Sequence, residues 1–180
     1  MDKINVFNIL KIQKHKYFDD NYVNNQLKLK TQLLMVNAFL HKGNETLLLM
    51  NNKTFKYTIY SENDQNSVSF NSKMLSLLMD KTNLYTAIHN HPNESSFSID
   101  DLIQLLRHEQ LILLILCTNS CKYCAGLLKS NTVDNITSDK MLKYIKQYMY
   151  KNNLTGHSSA IPLIEYFSTR KLIYVYYINY

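Results

Sequence analysis

The sequence predicts an α+β domain: a mixed or mostly antiparallel β-sheet with helices around it. Three observations carry this expectation. Residues 46–50 and 54–60 read as two strands of a hairpin. Residues 111–117 form a short, unbroken apolar run, the mark of a strand buried on both faces. Helical patterns near 25–40, 98–108 and 137–150 are interspersed with those strands.

The elements follow in chain order. Residues 1–22 mix Lys, Asn, Tyr and Phe with weak periodicity, as an extended arm or short strand would. Leu27, Leu29, Leu33, Leu34, Val36 and Phe39 suggest an amphipathic helix over 25–40, with Gly43 as its stop. Asn51-Asn52 suits a tight turn between the hairpin strands, because Asn tolerates left-handed backbone angles. Residues 61–66 are a polar loop, and 71–80 a short helix with Met74, Leu75, Leu77 and Leu78 inward. A strand over 84–88 ends at a histidine pair. Ser98 caps the next helix, with Asp101 in its first turn. Ile99, Leu102, Ile103, Leu105 and Leu106 supply that helix's packing face. Residues 123–128 are the expected antiparallel neighbour of 111–117. Thr137 caps a helix to residue 150, using Met141, Ile145, Tyr148 and Met149. A loop over 151–157, a helix over 161–167 and a strand over 172–178 complete the chain.

At 180 residues the chain is large enough for one domain with a real core. Lys and Arg outnumber Asp and Glu by 20 to 14, a net charge of +6. That balance is compatible with nucleic acid or an acidic membrane surface, but the lysines are spread and form no dense basic block. The terminal Tyr174, Tyr176, Tyr177 and Tyr180 could stack on single-stranded nucleic acid or support a homo-oligomer contact. A plain tyrosine-rich strand is the simpler reading. No signal-peptide pattern leads the chain, and the 111–117 run is too short to span a bilayer. Cys117, Cys121 and Cys124 are an odd set, so they suggest reduced thiols in a cytoplasmic protein rather than a disulfide framework.

The richest segment is His89-Asn90-His91-Pro92, followed by Phe97-Ser98-Ile99-Asp100-Asp101. In an extended segment the two histidines point the same way, so both imidazoles can reach one ion. Asp101 can approach from the start of the next helix, with Asp100 as the fallback. Two nitrogens and a carboxylate suit Zn²⁺ and leave a fourth position for water. Pro92 stiffens the exit from the strand, and Asn90 serves the loop's geometry.

These residues resemble the JAMM metalloprotease motif, also called JAB or MPN+: His-x-His-Pro, a short spacer, then Ser-x-x-Asp. The wording is especially similar to bacterial and phage JAB-like domains and to the RadC group. The resemblance implies a JAB/MPN-like, cytidine-deaminase-like fold, and Zn²⁺ held by His89, His91 and Asp101. It implies that Ser98 helps orient water or stabilise the tetrahedral intermediate, and that an upstream glutamate is the general base. The spacer from His91 to Ser98 is shorter than in many eukaryotic deubiquitinating members, so their linkage specificity does not carry across. The resemblance covers residues 25–130. Residues 1–24 would be an N-terminal arm, and 131–180 a C-terminal helix and strand extension packed on the same domain.

Glu45 is the expected base, because it opens the first strong strand after the long helix. Glu62 is the runner-up and Glu94 the more exposed alternative. The implied activity is zinc-dependent hydrolysis of a peptide or isopeptide bond in a peptide or modified-protein substrate. Two other readings remain open. The domain could be a weakly active or inactive interaction or nucleic-acid-associated module. Cys117-x3-Cys121-x2-Cys124 matches the spacing of a radical-SAM iron–sulfur site. However, the strand–helix units that should follow it are absent from the sequence. A regulatory zinc on those thiols with His157 is a further alternative. His15, His41 and His108 have no convincing partner in the sequence.

Overall fold

A computed structural model describes residues 21–61, 68–93, 95–118 and 124–177. The arm through residue 20, with His15, lies outside the described residues, as do Glu62, Glu94, Cys121, Tyr180 and most of the expected loop over 61–66.

Helix α1 (Asn21–Leu40) leads to a hairpin of β1 (Thr46–Asn51) and β2 (Tyr57–Ser61). Then come α2 (Ser72–Met79), β3 (Tyr85–His91), α3 (Ile99–Arg107), β4 (Leu111–Thr118) and β5 (Cys124–Lys129). Helices α4 (Asn135–Asn152) and α5 (Ile161–Thr169) precede β6 (Ile173–Tyr177). The strands form a mixed six-stranded sheet in the order β2-β1-β3-β4-β5-β6. Only β3 and β4 run parallel among these pairs, because α3 carries the chain back between them.

Both faces of the sheet are covered, which explains the near-continuous apolar strands. On one face α1 lays Leu27 and Leu34 against Leu48, Met50, Ile88 and Ile115. On the other, Leu47, Leu49, Ala87 and Leu116 meet side chains from the remaining helices, including Met74, Leu102, Met141 and Leu163. Successive residues of β1 thus alternate between two apolar layers rather than between core and water.

Several expected details differ. The buried stripe of α1 is Leu27, Thr31, Leu34 and Ala38, at helical spacing, while Leu29, Val36 and Phe39 face outward. The turn after β1 is longer than an Asn51-Asn52 pair. Asn51 Oδ1 accepts from the Lys53 and Thr54 N–H groups, at 2.9 Å each, and Phe55 takes the left-handed angle, φ 56°. Strand β2 therefore starts at Tyr57 instead of residue 54. In α2, Asn71 caps the helix and Leu75 turns outward. In α4 the cap is Asp134, not Thr137. Its carboxylate accepts the Thr137 N–H at 2.7 Å, which leaves Thr137 inside the first turn.

Cys117 and Cys124 are buried opposite one another on β4 and β5, in the apolar layer beneath α1. Those are the surroundings of core thiols. His157 lines a cleft on the other side of the sheet, so among the described residues it forms no metal cluster with Cys117 and Cys124.

Candidate metal centre

The site sits where the C-terminal end of β3, the start of β1 and the N-terminus of α3 meet. Strand register explains the assembly. Leu47 lies opposite His89 in the antiparallel β1–β3 pair, so the residue two before Leu47 comes abreast of the residue two after His89. Those residues are Glu45 and His91. Asn90 points away from its neighbouring histidines and secures this junction. Its Oδ1 accepts the Thr46 N–H at 2.8 Å, and its Nδ2 donates to the Asn44 carbonyl at 3.4 Å. The carboxamide between the histidines thus holds the segment that carries Glu45.

Helix α3 delivers Asp101. The Ser98 Oγ accepts the Asp101 N–H at 3.1 Å, and Asp101 Oδ2 accepts the Ser98 N–H at 2.7 Å, a complete capping box. The Ser98 hydroxyl also donates to Asp101 Oδ2 at 2.8 Å. Its single proton is therefore committed to orienting Asp101.

The chemistry-bearing atoms converge. Nε2 of His89 and Nε2 of His91 face each other at 3.1 Å. Asp101 Oδ1 lies 3.1 Å from His89 Nε2, and its Oδ2 lies 3.5 Å from His91 Nε2. Glu45 Oε1 approaches His91 Nε2 at 3.6 Å. Glu45, His89 and His91 are all buried and each offers a ligand atom within 4.8 Å of the others. Such a Glu-His-His cluster is consistent with a metal-dependent active site.

The second ring nitrogens agree with this. His91 Nδ1 lies 3.2 Å from the Ser95 carbonyl and 2.9 Å from Ser95 Oγ. Donation to that carbonyl puts the proton on Nδ1 and leaves the Nε2 lone pair for an ion. His89 Nδ1 is buried near the Ile115 backbone without full hydrogen-bond geometry. Two Nε2 atoms that face one another, flanked by carboxylates, offer an N₂O donor set that could hold a divalent ion such as Zn²⁺.

Electrostatics divide the two histidines. Burial opposes a charge on His89, but Asp101 and then Glu45 outweigh it and raise its pKa. Burial and then the neighbouring His89 push His91 down to about 4. Burial would raise Asp101, yet His89, His91 and the Ser98 N–H hold its carboxyl well below the usual range.

Asp100, the fallback ligand, is exposed and turned toward Gly156, whose absent Cβ leaves room for its carboxylate. The Asp100 N–H also donates to the Gly156 carbonyl at 2.9 Å. This stitches the loop after α4 to the start of α3.

A cleft of about 460 Å³ opens over the cluster, with Glu45, His91, Ser98 and Asp101 in its wall. Ser69, Gln104 and His157 also line it, and the sequence placed none of them at this site. His157 comes from beyond α4, and no spacing rule links it to the motif. Ser95 was equally hidden, since its contact with His91 depends on the path of the loop. Comparison with family models, curated proteins and solved structures finds no match to the chain.

Proposed function

We propose that the chain is a JAMM-like zinc hydrolase that cleaves a peptide or isopeptide bond. In this reading His89, His91 and Asp101 are the metal ligands and Glu45 is the general base. The observation that carries it is that two carboxylates reach the same buried histidine pair. Asp101 lies 3.1 Å from His89 and 3.5 Å from His91, and Glu45 lies 3.6 Å from His91. One carboxylate can then ligate while the other stays available for proton transfer.

Zinc bound there would supply Lewis acidity to the attacking water and the scissile carbonyl. Glu45 would accept the water proton and return it to the departing nitrogen, as burial beside a histidine suits a general base. Ser98 fixes the Asp101 carboxylate through two hydrogen bonds, one from its N–H and one from its hydroxyl, and the hydroxyl would have to leave Asp101 Oδ2 to stabilise a developing oxyanion. Asn90 keeps Glu45 in range through the Thr46 and Asn44 backbone. The cleft of about 460 Å³ over the cluster is where a scissile amide would lie.

Metal analysis and turnover of zinc-loaded protein against peptide and isopeptide libraries test this reading. The expected result is hydrolysis that disappears with zinc in His89→Ala and disappears with zinc retained in Glu45→Gln. Undiminished turnover by Glu45→Gln would remove it as base. Stoichiometric zinc with no turnover on any library would favour the inactive interaction module.

A further inference from the structure

A second surface, remote from the motif, lies on α4 and α5. The outward stripe of α4 is basic. Lys140, Lys143 and Lys151 recur at helical spacing and are exposed, with Gln147 between them. None of these lysines forms an ion pair among the described residues. A stripe of one sign, in which only Lys140 feels a nearby carboxylate, that of Asp134, is an electrostatic footprint for a polyanion.

Beside the stripe stands an aromatic column. The rings of Tyr144 and Tyr166 stack with centroids 4.4 Å apart and planes 6° apart. The Arg170 guanidinium covers Tyr166 at 3.6 Å, and its Nη1 donates to the Tyr166 carbonyl at 3.0 Å. The column is therefore held from both helices. A groove of about 390 Å³ adjoins it, lined by Tyr144, Gln147, Tyr148, Lys151 and Asn152. It combines ring faces, side-chain amides and a cation.

Those are the parts needed to hold an unpaired base and its phosphate. The rings offer stacking, the amides offer contacts to base edges, and the lysine stripe tracks the backbone. A duplex keeps its bases stacked on each other and could use only the charges. An acidic protein or an anionic membrane would use the stripe but gain little from the groove.

We propose that the α4–α5 face binds single-stranded nucleic acid, with one base entering the Tyr144–Tyr148 groove and phosphates lying along Lys140, Lys143 and Lys151. The surface is independent of the zinc reading, because it shares no residue with the metal cluster.

Fluorescence anisotropy with the full chain and a short labelled oligothymidylate tests it, with a duplex of equal length and phosphatidylserine vesicles as competitors. The single strand should bind more tightly than the duplex, and vesicles should compete weakly. The exposed triple variant Lys140→Glu/Lys143→Glu/Lys151→Glu should lose about tenfold or more and flatten the dependence of affinity on salt. Tyr144→Leu should weaken binding by about tenfold, the size of one lost stack, while Tyr144→Phe restores it. His89→Ala should bind as the unaltered chain does. The proposal is overturned by absence of binding at low salt, by equal affinity for duplex, by displacement with vesicles, or by indifference to the lysine reversals. Circular dichroism of each variant separates lost binding from lost fold.

Discussion

The two ends of α3 both bury charge, and they do so in opposite ways. At its C-terminal end, Lys129 reaches from β5 and is almost wholly buried. Its Nζ donates to the carbonyls of Leu105, His108 and Glu109 at 3.4, 3.0 and 3.2 Å. Three donors meet three acceptors at the negative end of a helix, so the arrangement is complete by itself. At the N-terminal end, Asp101 joins two imidazoles that face each other and a second carboxylate. That arrangement could hold a divalent cation among its nitrogens and carboxylates. The contrast separates buried charge that is satisfied within the fold from buried charge that could serve a metal ion.

The largest predicted effect breaks the comparison at its chemical end. Glu45→Gln should lower kcat by about a hundred- to ten-thousand-fold, the usual contribution of a general base. Zinc content should stay unchanged, since Glu45 is not a ligand in the proposed set. Lys129→Met should leave kcat close to that of the unaltered chain. Steady-state kinetics with parallel metal analysis reads both, and a comparable loss in Lys129→Met would erase the distinction between the two ends.

Zinc linkage comes next. Free zinc at about a hundred times Kd should stabilise the folded chain by about 2.7 kcal/mol, and His89→Ala should abolish the gain. The Lys129→Met variant should retain it in full. Calorimetric Tm values with and without a chelator provide the measurement. A zinc-dependent Tm in His89→Ala equal to that of the unaltered chain would place the binding elsewhere.

The two ends also differed in how far the sequence disclosed them. The His89-Asn90-His91 alternation and the Ser98–Asp101 spacing stated their geometry directly, because a strand's period of two and a capping box are local rules. Glu45 was reachable only as the acid at a strand start. Its meeting with His91 depends on β1–β3 register across forty-odd residues, which local pattern does not encode. Lys129 carried no signal, since a lysine closing a strand normally lies in water. Its partners come from a helix end some twenty residues earlier. The fold followed the same division. Element types were legible from apolar periodicity, whereas the α1 stripe was misjudged because Thr31 and Ala38 pack inward while Phe39, with 82% of its surface exposed, does not. Packing against a sheet chose a narrower stripe than hydrophobicity suggested.

A smaller effect sharpens the structural end. Lys129→Met fills similar volume but leaves the α3 carbonyls without their donor. The loss should be ~2 kcal/mol, in the range of one buried group left unsatisfied. Urea denaturation at neutral pH measures it. Zinc stoichiometry in this variant should match that of the unaltered chain. A loss of zinc together with stability would mean that the two ends of α3 are energetically coupled.

The last effect is in pH. Burial pushes Lys129 from its ordinary 10.5 down to about 8, with Glu109 opposing weakly. Below about 8 both the folded and the unfolded chain hold this proton, and the folded chain carries the whole cost of burying the charge. Between about 8 and 10.5 the unfolded chain binds more protons than the folded one. Stability contributed by this group therefore rises with pH across that window, and the rise stops once the lysine is neutral in both states. Subtracting the stability of Lys129→Met at each pH isolates the term from other titrations. The unaltered chain's advantage should grow between pH 8 and 10.5. A flat difference would show that the three carbonyls solvate the ammonium as well as water does. Burial would then cost the folded chain nothing at this end of α3, and the helix terminus itself would be the better account of why a lysine is tolerated there.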